Sequence, residues 1–211
     1  MMHPRPSLPT LSILAALLAP PALAQQEPTS EYLCGEDRFM DQSMLESLLT
    51  GRWEAHLGAG YAIAGPTVIA HPADPDAHFG TLDKQEDGLV LIPEEGGVVL
   101  DLDWVTDQTW RFDREPSLPE GVQVANGTDL PILPFSSDEV GDLVGCDINE
   151  LPRLVGTGAA VIDGVTMEFT YRLMLVSYKE FAGFQEVRAT AHGIPVFERR
   201  PVMMILQFES D

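Results

Sequence analysis

The chain has 211 residues, of which 45% are hydrophobic and 21% are charged, a composition typical of a folded globular protein. Its 33 acidic residues outnumber its 12 lysines and arginines, which gives a formal charge of −21 at pH 7. This excess of negative charge repels phosphate backbones and anionic lipid head groups, so the composition argues against nucleic-acid binding.

The first 24 residues have the pattern of a secretory signal peptide. Arg5 supplies a positive charge, an apolar run covers residues 11–18, and Ala22 and Ala24 are the small residues of a cleavage site before Gln25. Because the run is shorter than the roughly 20 residues that span a bilayer, we expect a mature chain without an integral membrane segment. Cleavage leaves 11 basic and 33 acidic residues, a charge of −22, on a periplasmic or secreted protein.

The two cysteines, Cys34 and Cys146, are predicted to form a disulfide, because disulfides persist in the oxidising compartments that exported proteins enter. Two buried free thiols are the alternative. No C-x-x-C pair is present to lower a thiol pKa, so the cysteines do not indicate redox catalysis.

One helix is predicted before the first strand. Apolar residues recur at three- and four-residue spacing, Asp41 can cap the start, and Gly51 can adopt the left-handed conformation that ends a helix. The apolar residues of this helix are Met40, Met44, Leu45, Leu48 and Leu49.

From Gly51 onward the hydrophobic pattern is that of β-strands. The predicted strands of this half cover residues 52–57, 62–70 (interrupted by Gly65-Pro66), 89–92, 98–104 and 109–112. Alternation places Trp104 and Trp110 on the core side of the last two strands. Residues 71–76 are predicted to form a loop because of their two prolines.

Residues 114–153 interrupt the strand pattern with prolines and turn-forming residues, which predicts an irregular covering lobe with a short helix over 137–144. The C-terminal quarter returns to strands. Asp163-Gly164 predicts a two-residue hairpin turn between residues 154–162 and 165–178. After Ala182-Gly183, two further strands are expected over 185–192 and 196–208, with a turn at 193–195 between them.

These elements predict a mainly β protein in which residues 25–211 form a single domain. About eight strands joined by short turns suit a closed or nearly closed antiparallel barrel with one N-terminal helix and a long irregular insertion. Closure removes the unpaired edges that such long strands would otherwise expose.

The segment leading into Gly51-Arg52-Trp53 resembles the start of lipocalins and related calycins, in which a short helix leads into a Gly-x-Trp at the head of the first strand. The resemblance implies that Trp53 plugs the closed end of the barrel, with the guanidinium of Arg199 or Arg200 stacked on its ring. The family's second motif, a Thr-Asp-Tyr-like turn, is absent. An ordinary core tryptophan is the alternative reading of Trp53.

No catalytic constellation is evident, since the sequence lacks a phosphate-binding loop and a G-x-S-x-G elbow. We therefore expect no cofactor and favour a non-enzymatic protein, with an enzyme as a lesser alternative.

Four metal-ligating residue types lie within eight positions, but two prolines make their segment an exposed turn, so we expect no metal site. They are His71, Asp74, Asp76 and His78.

Two other polar groupings lie on strands. Asp101 and Asp103, about 7 Å apart by strand geometry, are expected on a solvated outer face. Glu168 and Arg172 either line a cavity or belong to the barrel exterior.

The favoured function is the binding of a small apolar or amphipathic molecule inside a lipocalin-like barrel. The residues predicted to bind it are Trp104, Trp110, Phe169, Tyr171 and Leu173. The alternative is a cell-envelope interaction module with a filled barrel, whose acidic lobe contacts a basic protein partner.

Overall fold

We describe a computed structural model of the chain over residues 33–34, 42–86, 88–125, 127 and 129–208. The signal peptide, Met40 and Asp41 lie outside these residues. Within them, no helix is long and apolar enough to cross a membrane.

Eleven strands and two α-helices are formed by the described residues. The strands are β1 (Gly51–Leu57), β2 (Gly60–Ala64), β3 (Thr67–His71), β4 (His78–Gln85), β5 (Gly88–Pro93), β6 (Leu100–Trp104), β7 (Gln123–Val124), β8 (Arg153–Ile162), β9 (Val165–Ser177), β10 (Glu180–Ala191) and β11 (Ile194–Gln207). The helices are α1 (Gln42–Leu49) and α2 (Ser137–Val144), and a short 3-10 helix covers Ile148–Glu150.

Eight of these strands form a closed antiparallel barrel. Their order around it is β1-β4-β5-β6-β8-β9-β10-β11, and β1 pairs with β11 to complete the circle. Barrel neighbours therefore follow one another along the chain, which is an up-and-down arrangement. The predicted barrel is confirmed.

The last strand belongs to two pairings at once. Its C-terminal half, from Val202 to Gln207, pairs with β1, whereas Val196 to Arg199 pair with β2. The β2–β3 hairpin thus extends the sheet beyond the barrel, and β3 also forms a short parallel pairing with β7.

Tight turns join the long C-terminal strands. Asp163 and Gly164 have φ of 50° and 79°, the positive values that a type I′ hairpin turn requires, as predicted. His192 and Gly193 repeat this geometry between β10 and β11, with φ of 51° and 79°.

Strand β10 begins earlier than the predicted 185–192, because Ala182 and Gly183 lie inside it and the chain reverses at Tyr178 and Lys179. A Cβ atom at Gly183 would collide with the carbonyl oxygen of Arg172 on β9. This glycine therefore marks a close approach of two strands and not a break in one.

Two further strand predictions also need correction. Residues 109–112 form no strand, and Phe112 is buried by the outer face of the sheet, where it contacts Phe184. The sequence does not predict strand β4, because Leu82 is the one large apolar residue on an inward face that also carries His78, Gly80 and Lys84.

Helix α1 lies at the closed end of the barrel, where Leu45 and Leu49 are buried and Trp53 Nε1 donates a hydrogen bond to the Leu49 carbonyl (2.8 Å). Met44 and Leu48, predicted on the same apolar face, are exposed instead. Glu46 is the third inward residue. Gly51, the first residue of β1, has a φ of 146°, which favours glycine over any L residue.

Glu46 connects the helix to the barrel. Its carboxylate accepts hydrogen bonds from Gln42 (2.9 Å) and Trp104 Nε1 (3.0 Å), and Lys84 Nζ lies 3.2 Å away. Burial alone would raise the pKa of Glu46, but these three partners together hold the pKa below its ordinary value.

The predicted irregular lobe covers the outer face of β9 and β10. Phe112 from the lobe packs edge-on against the outward-facing Phe184 of β10, with 4.9 Å between ring centroids. The predicted disulfide between Cys34 and Cys146 is present, with 6.1 Å between the Cα atoms, and fastens the lobe to the N-terminal segment.

Helix α2 occupies the predicted residues of the lobe. Ser136 and Glu139 form a capping box at its N-terminus, and Arg114 donates two hydrogen bonds to the Glu139 carboxylate, at 2.6 and 2.7 Å. These bonds from Arg114, with those from Ser136, lower the pKa of Glu139 to about 2.

Candidate ligand-binding cavity

The half of the barrel farther from α1 is hollow. A cavity of about 370 Å³ opens there, with Trp53 at its base and Phe169 and Tyr171 on one wall. The sequence alternation of β9 predicts this placement, because Phe169, Tyr171 and Leu173 share the inward face of the strand.

Small side chains on facing strands leave this space empty. Ala55 on β1 and Ala160 on β8 both line the cavity, where larger residues would fill it. Toward α1, the inward positions carry Leu173, Leu175 and Phe181, which are almost fully buried. The change of residue size along the barrel axis therefore decides where packing ends and the cavity begins.

Trp53, at the base of the cavity, is fixed by a hydrogen bond and an aromatic contact. Besides its hydrogen bond to Leu49, the Trp53 ring packs on the Phe181 ring at a centroid distance of 4.9 Å. This position at the closed end is the one implied by the resemblance to lipocalins. Paired aromatic rings of this kind add to the stability gained from their burial.

The lining is apolar apart from a few groups. Gln185 on β10 donates a hydrogen bond from Nε2 to the hydroxyl oxygen of Tyr171 on the neighbouring strand β9. Burial raises the pKa of the Tyr171 phenol, which therefore stays protonated at neutral pH. His78 lies at the mouth, with its Nε2 atom 2.9 Å from Asp74 Oδ2.

The structure brings two of the five predicted ligand-binding residues, Phe169 and Tyr171, into the cavity lining. Leu173 lies one inward position closer to α1 and is fully buried in the packed core. Trp104 lies at the closed end against Glu46. The prediction that Trp110 faces the interior is wrong, because its segment forms no strand. Its ring lies outside the barrel, with the guanidinium carbon of Arg153 5.3 Å from the ring centroid.

The arginines expected on Trp53 lie elsewhere. The guanidinium of Arg199 lies over the Phe184 ring, 4.0 Å from its centroid, on the outer face of the sheet. Arg200 donates hydrogen bonds to the carbonyls of Gly58, Leu57 and Pro72. These bonds secure the segment that follows β1, and the partner of the Trp53 ring is Phe181.

Several lining residues were not predicted from the sequence. Gln185 lies on the inward face of β10, but a single polar residue in an alternating strand carries no sign of a cavity. Ala55 contributes through its small size, which hydrophobic alternation does not register. Only the pairing of strands shows which small residues face one another.

The other polar groupings do not form a site. Across the described ranges, no group of three His, Cys, Asp or Glu side chains is arranged to hold a metal ion. In the loop before β4, Asp74 instead bonds His78 and the backbone N–H of Asp76. Asp101 and Asp103 are exposed on the outer face of β6, as predicted.

Glu168 and Arg172 belong to the exterior of β9. Arg172 Nε lies 3.7 Å from the carboxylate of Glu186, whose other oxygen lies 3.7 Å from Arg199. Of the two readings left open by the sequence, the structure supports the outer face.

The sequence matches no protein-family model and no curated protein. The closed eight-stranded antiparallel barrel is compatible with a calycin-like fold.

Proposed function

We propose that this chain is an exported, lipocalin-like protein that binds a small apolar or amphipathic molecule inside its barrel and catalyses no reaction on it. The observation that carries the proposal is the cavity above Trp53. Its volume of about 370 Å³ falls within the range of roughly 300–1,000 Å³ typical of ligand pockets. Apolar walls with a few polar groups are also usual for such pockets.

Export is supported by the signal-like N-terminus and by the disulfide, which suits an oxidising compartment. The alternative, an interaction module, requires a filled barrel. The small side chains of Ala55 and Ala160, which leave the cavity open, favour the binding protein over this alternative.

Binding is best tested with N-phenyl-1-naphthylamine, an uncharged probe whose fluorescence rises in apolar surroundings. We expect the mature protein to bind it at a single site. Ala160→Phe should abolish binding by filling the cavity, because Ala160 lines it. Ala159→Phe is the matched control, since Ala159 is exposed on the outer face of the same strand.

Native mass spectrometry of protein purified from its own cell envelope complements this titration. A stoichiometric small molecule that is missing from the Ala160→Phe variant would support the proposal. A bare mass together with no probe binding by the wild type would overturn it.

A further inference from the structure

Tyr171 and Gln185, the hydrogen-bonded pair in the cavity, leave the hydroxyl hydrogen of Tyr171 available as a donor. The Tyr171 oxygen accepts the hydrogen bond from Gln185, so the phenol's own O–H hydrogen is not engaged in that bond. Among the described residues, Gln185 is the only hydrogen-bond partner that the structure gives this hydroxyl. A buried donor gains free energy when an acceptor is placed beside it.

In the described part of the chain, carboxylates and the cationic side chains of lysine and arginine do not line this cavity. No Asp, Glu, Lys or Arg side chain is among the described residues that border the cavity. Arg200 is occupied with three backbone carbonyls. The charge of Arg200 attracts a negative charge at Tyr171, but burial outweighs this attraction, since the pKa of the phenol is raised. A bound anion would likewise lose more free energy by desolvation than it gains from Arg200.

The entrance of the cavity also disfavours anions. His78, Gly97 and Ile162 line the cavity and are each close in sequence to acidic residues. Of these acids, Asp76, Glu95 and Asp163 are exposed, while Glu94 is ion-paired with Arg52 and Asp74 is bonded to His78. On a chain of charge −21, they repel anions that approach the mouth.

Resting on the proposed function, we infer that the cavity selects an uncharged ligand that bears a hydrogen-bond-acceptor oxygen, such as a ketone, aldehyde or ester carbonyl, which accepts the hydroxyl hydrogen of Tyr171. Phe169 and Trp53 supply apolar contact to the rest of the molecule, and Gln185 orients the phenol.

Three naphthalenes of matched shape test this inference by displacement of N-phenyl-1-naphthylamine at pH 7.5. They are 2-acetylnaphthalene, with a neutral carbonyl, 2-ethylnaphthalene, with no acceptor, and 2-naphthoate, an anion. We expect the anion to bind wild-type protein at least about tenfold more weakly than the ketone, because its charge must be desolvated.

The hydrogen bond is tested with the double variant Tyr171→Phe/Gln185→Met, which removes both polar groups with little change of volume. The affinity for the ketone relative to the ethyl compound should fall about 2- to 12-fold, the effect of one net hydrogen bond. Tyr61→Phe is the control, because Tyr61 is buried against Phe197 on the extension formed by β2, outside the cavity.

The outcomes separate the two proposals. This inference fails, and the proposed function stands, if the ethyl compound binds and the double variant leaves the affinity for the ketone relative to the ethyl compound unchanged. The same conclusion holds if the anion binds wild-type protein as tightly as the ketone. If none of the three compounds nor the probe binds, the proposed function itself fails. The anion comparison uses wild-type protein only and does not depend on the folding of a variant.

Discussion

The two halves of the barrel are built on the same eight strands but differ in how they are filled. In the half that contacts α1, the closed half, Leu173 and Phe181 are almost fully buried, and the lobe packs on the outer face at Phe184. In the other, the open half, Ala55 and Ala160 leave a cavity. The closed half therefore has packing on both faces of the sheet, while the inner face of the open half borders empty space.

This difference separates stability from binding along a single strand. On β9, Leu173 belongs to the closed half, while Tyr171 and Phe169, the next inward positions, line the cavity. Burial of apolar area and close packing stabilise the closed half. The open half gives up part of that packing, and the space becomes available to a ligand.

The largest expected effect comes from the link between the lobe and the N-terminal segment. Replacing both cysteines, Cys34→Ala/Cys146→Ala, should lower the free energy of unfolding by about 4 kcal/mol, because the bridge closes a loop of 112 residues in the unfolded chain. Urea unfolding measures the loss. Under conditions where the variant is folded, probe binding in the open half should be unchanged, and a parallel loss of binding would contradict the independence of the two halves.

The next prediction compares the loss of stability caused by truncating two residues on β9. Leu173→Ala should cost about 3 kcal/mol, because it leaves a void in a packed region. Phe169→Ala should cost about 1–2 kcal/mol, because its ring borders the cavity and has fewer packing neighbours.

Probe affinity is expected to respond in the opposite order, with the greater loss in Phe169→Ala. Equal losses of stability would mean that the cavity is filled in solution and would remove the distinction between the halves.

The smallest effect concerns the carboxylate that joins α1 to the closed half. Glu46→Gln should cost about 1 kcal/mol at pH 7, since hydrogen bonds to an ionised group are replaced by neutral ones. The folded state lowers the pKa of Glu46 from 4.5, so its ionised form stabilises the protein above that pH.

Stabilisation by Glu46 is lost as the pH falls through the lowered pKa. Unfolding measured from pH 7 to pH 3 should therefore show the difference between wild type and variant shrinking toward acid. A difference that stays constant with pH would show that packing, and not charge, is responsible.

Local chemistry explains most of what the sequence predicts correctly. The alternation of β9, the Asp163-Gly164 turn and helix α2 each depend on a few neighbouring residues, and each is present as predicted. Strand β4 escapes prediction because its hydrogen bonds to β1 and β5 compensate for a poor hydrophobic pattern.

The candidate site is predicted only in part for a related reason. Phe169 and Tyr171 are found by alternation, because strand geometry places every second side chain on one face. The prediction for Trp110 is wrong, because a short apolar alternation also occurs in a loop that packs on the outside of the sheet. Gln185 becomes meaningful only when strand pairing places it beside Tyr171.

The sequence by itself determines most of the strand pattern, the hairpin turn, the short helix of the lobe and the two cysteines available for a bridge, because each follows from local conformation or composition. The tertiary structure alone decides that the barrel is hollow at one end, that Glu46 faces inward and that the lobe covers the outer face. These features depend on summed side-chain volumes and strand register across residues far apart in the chain, which no local pattern records.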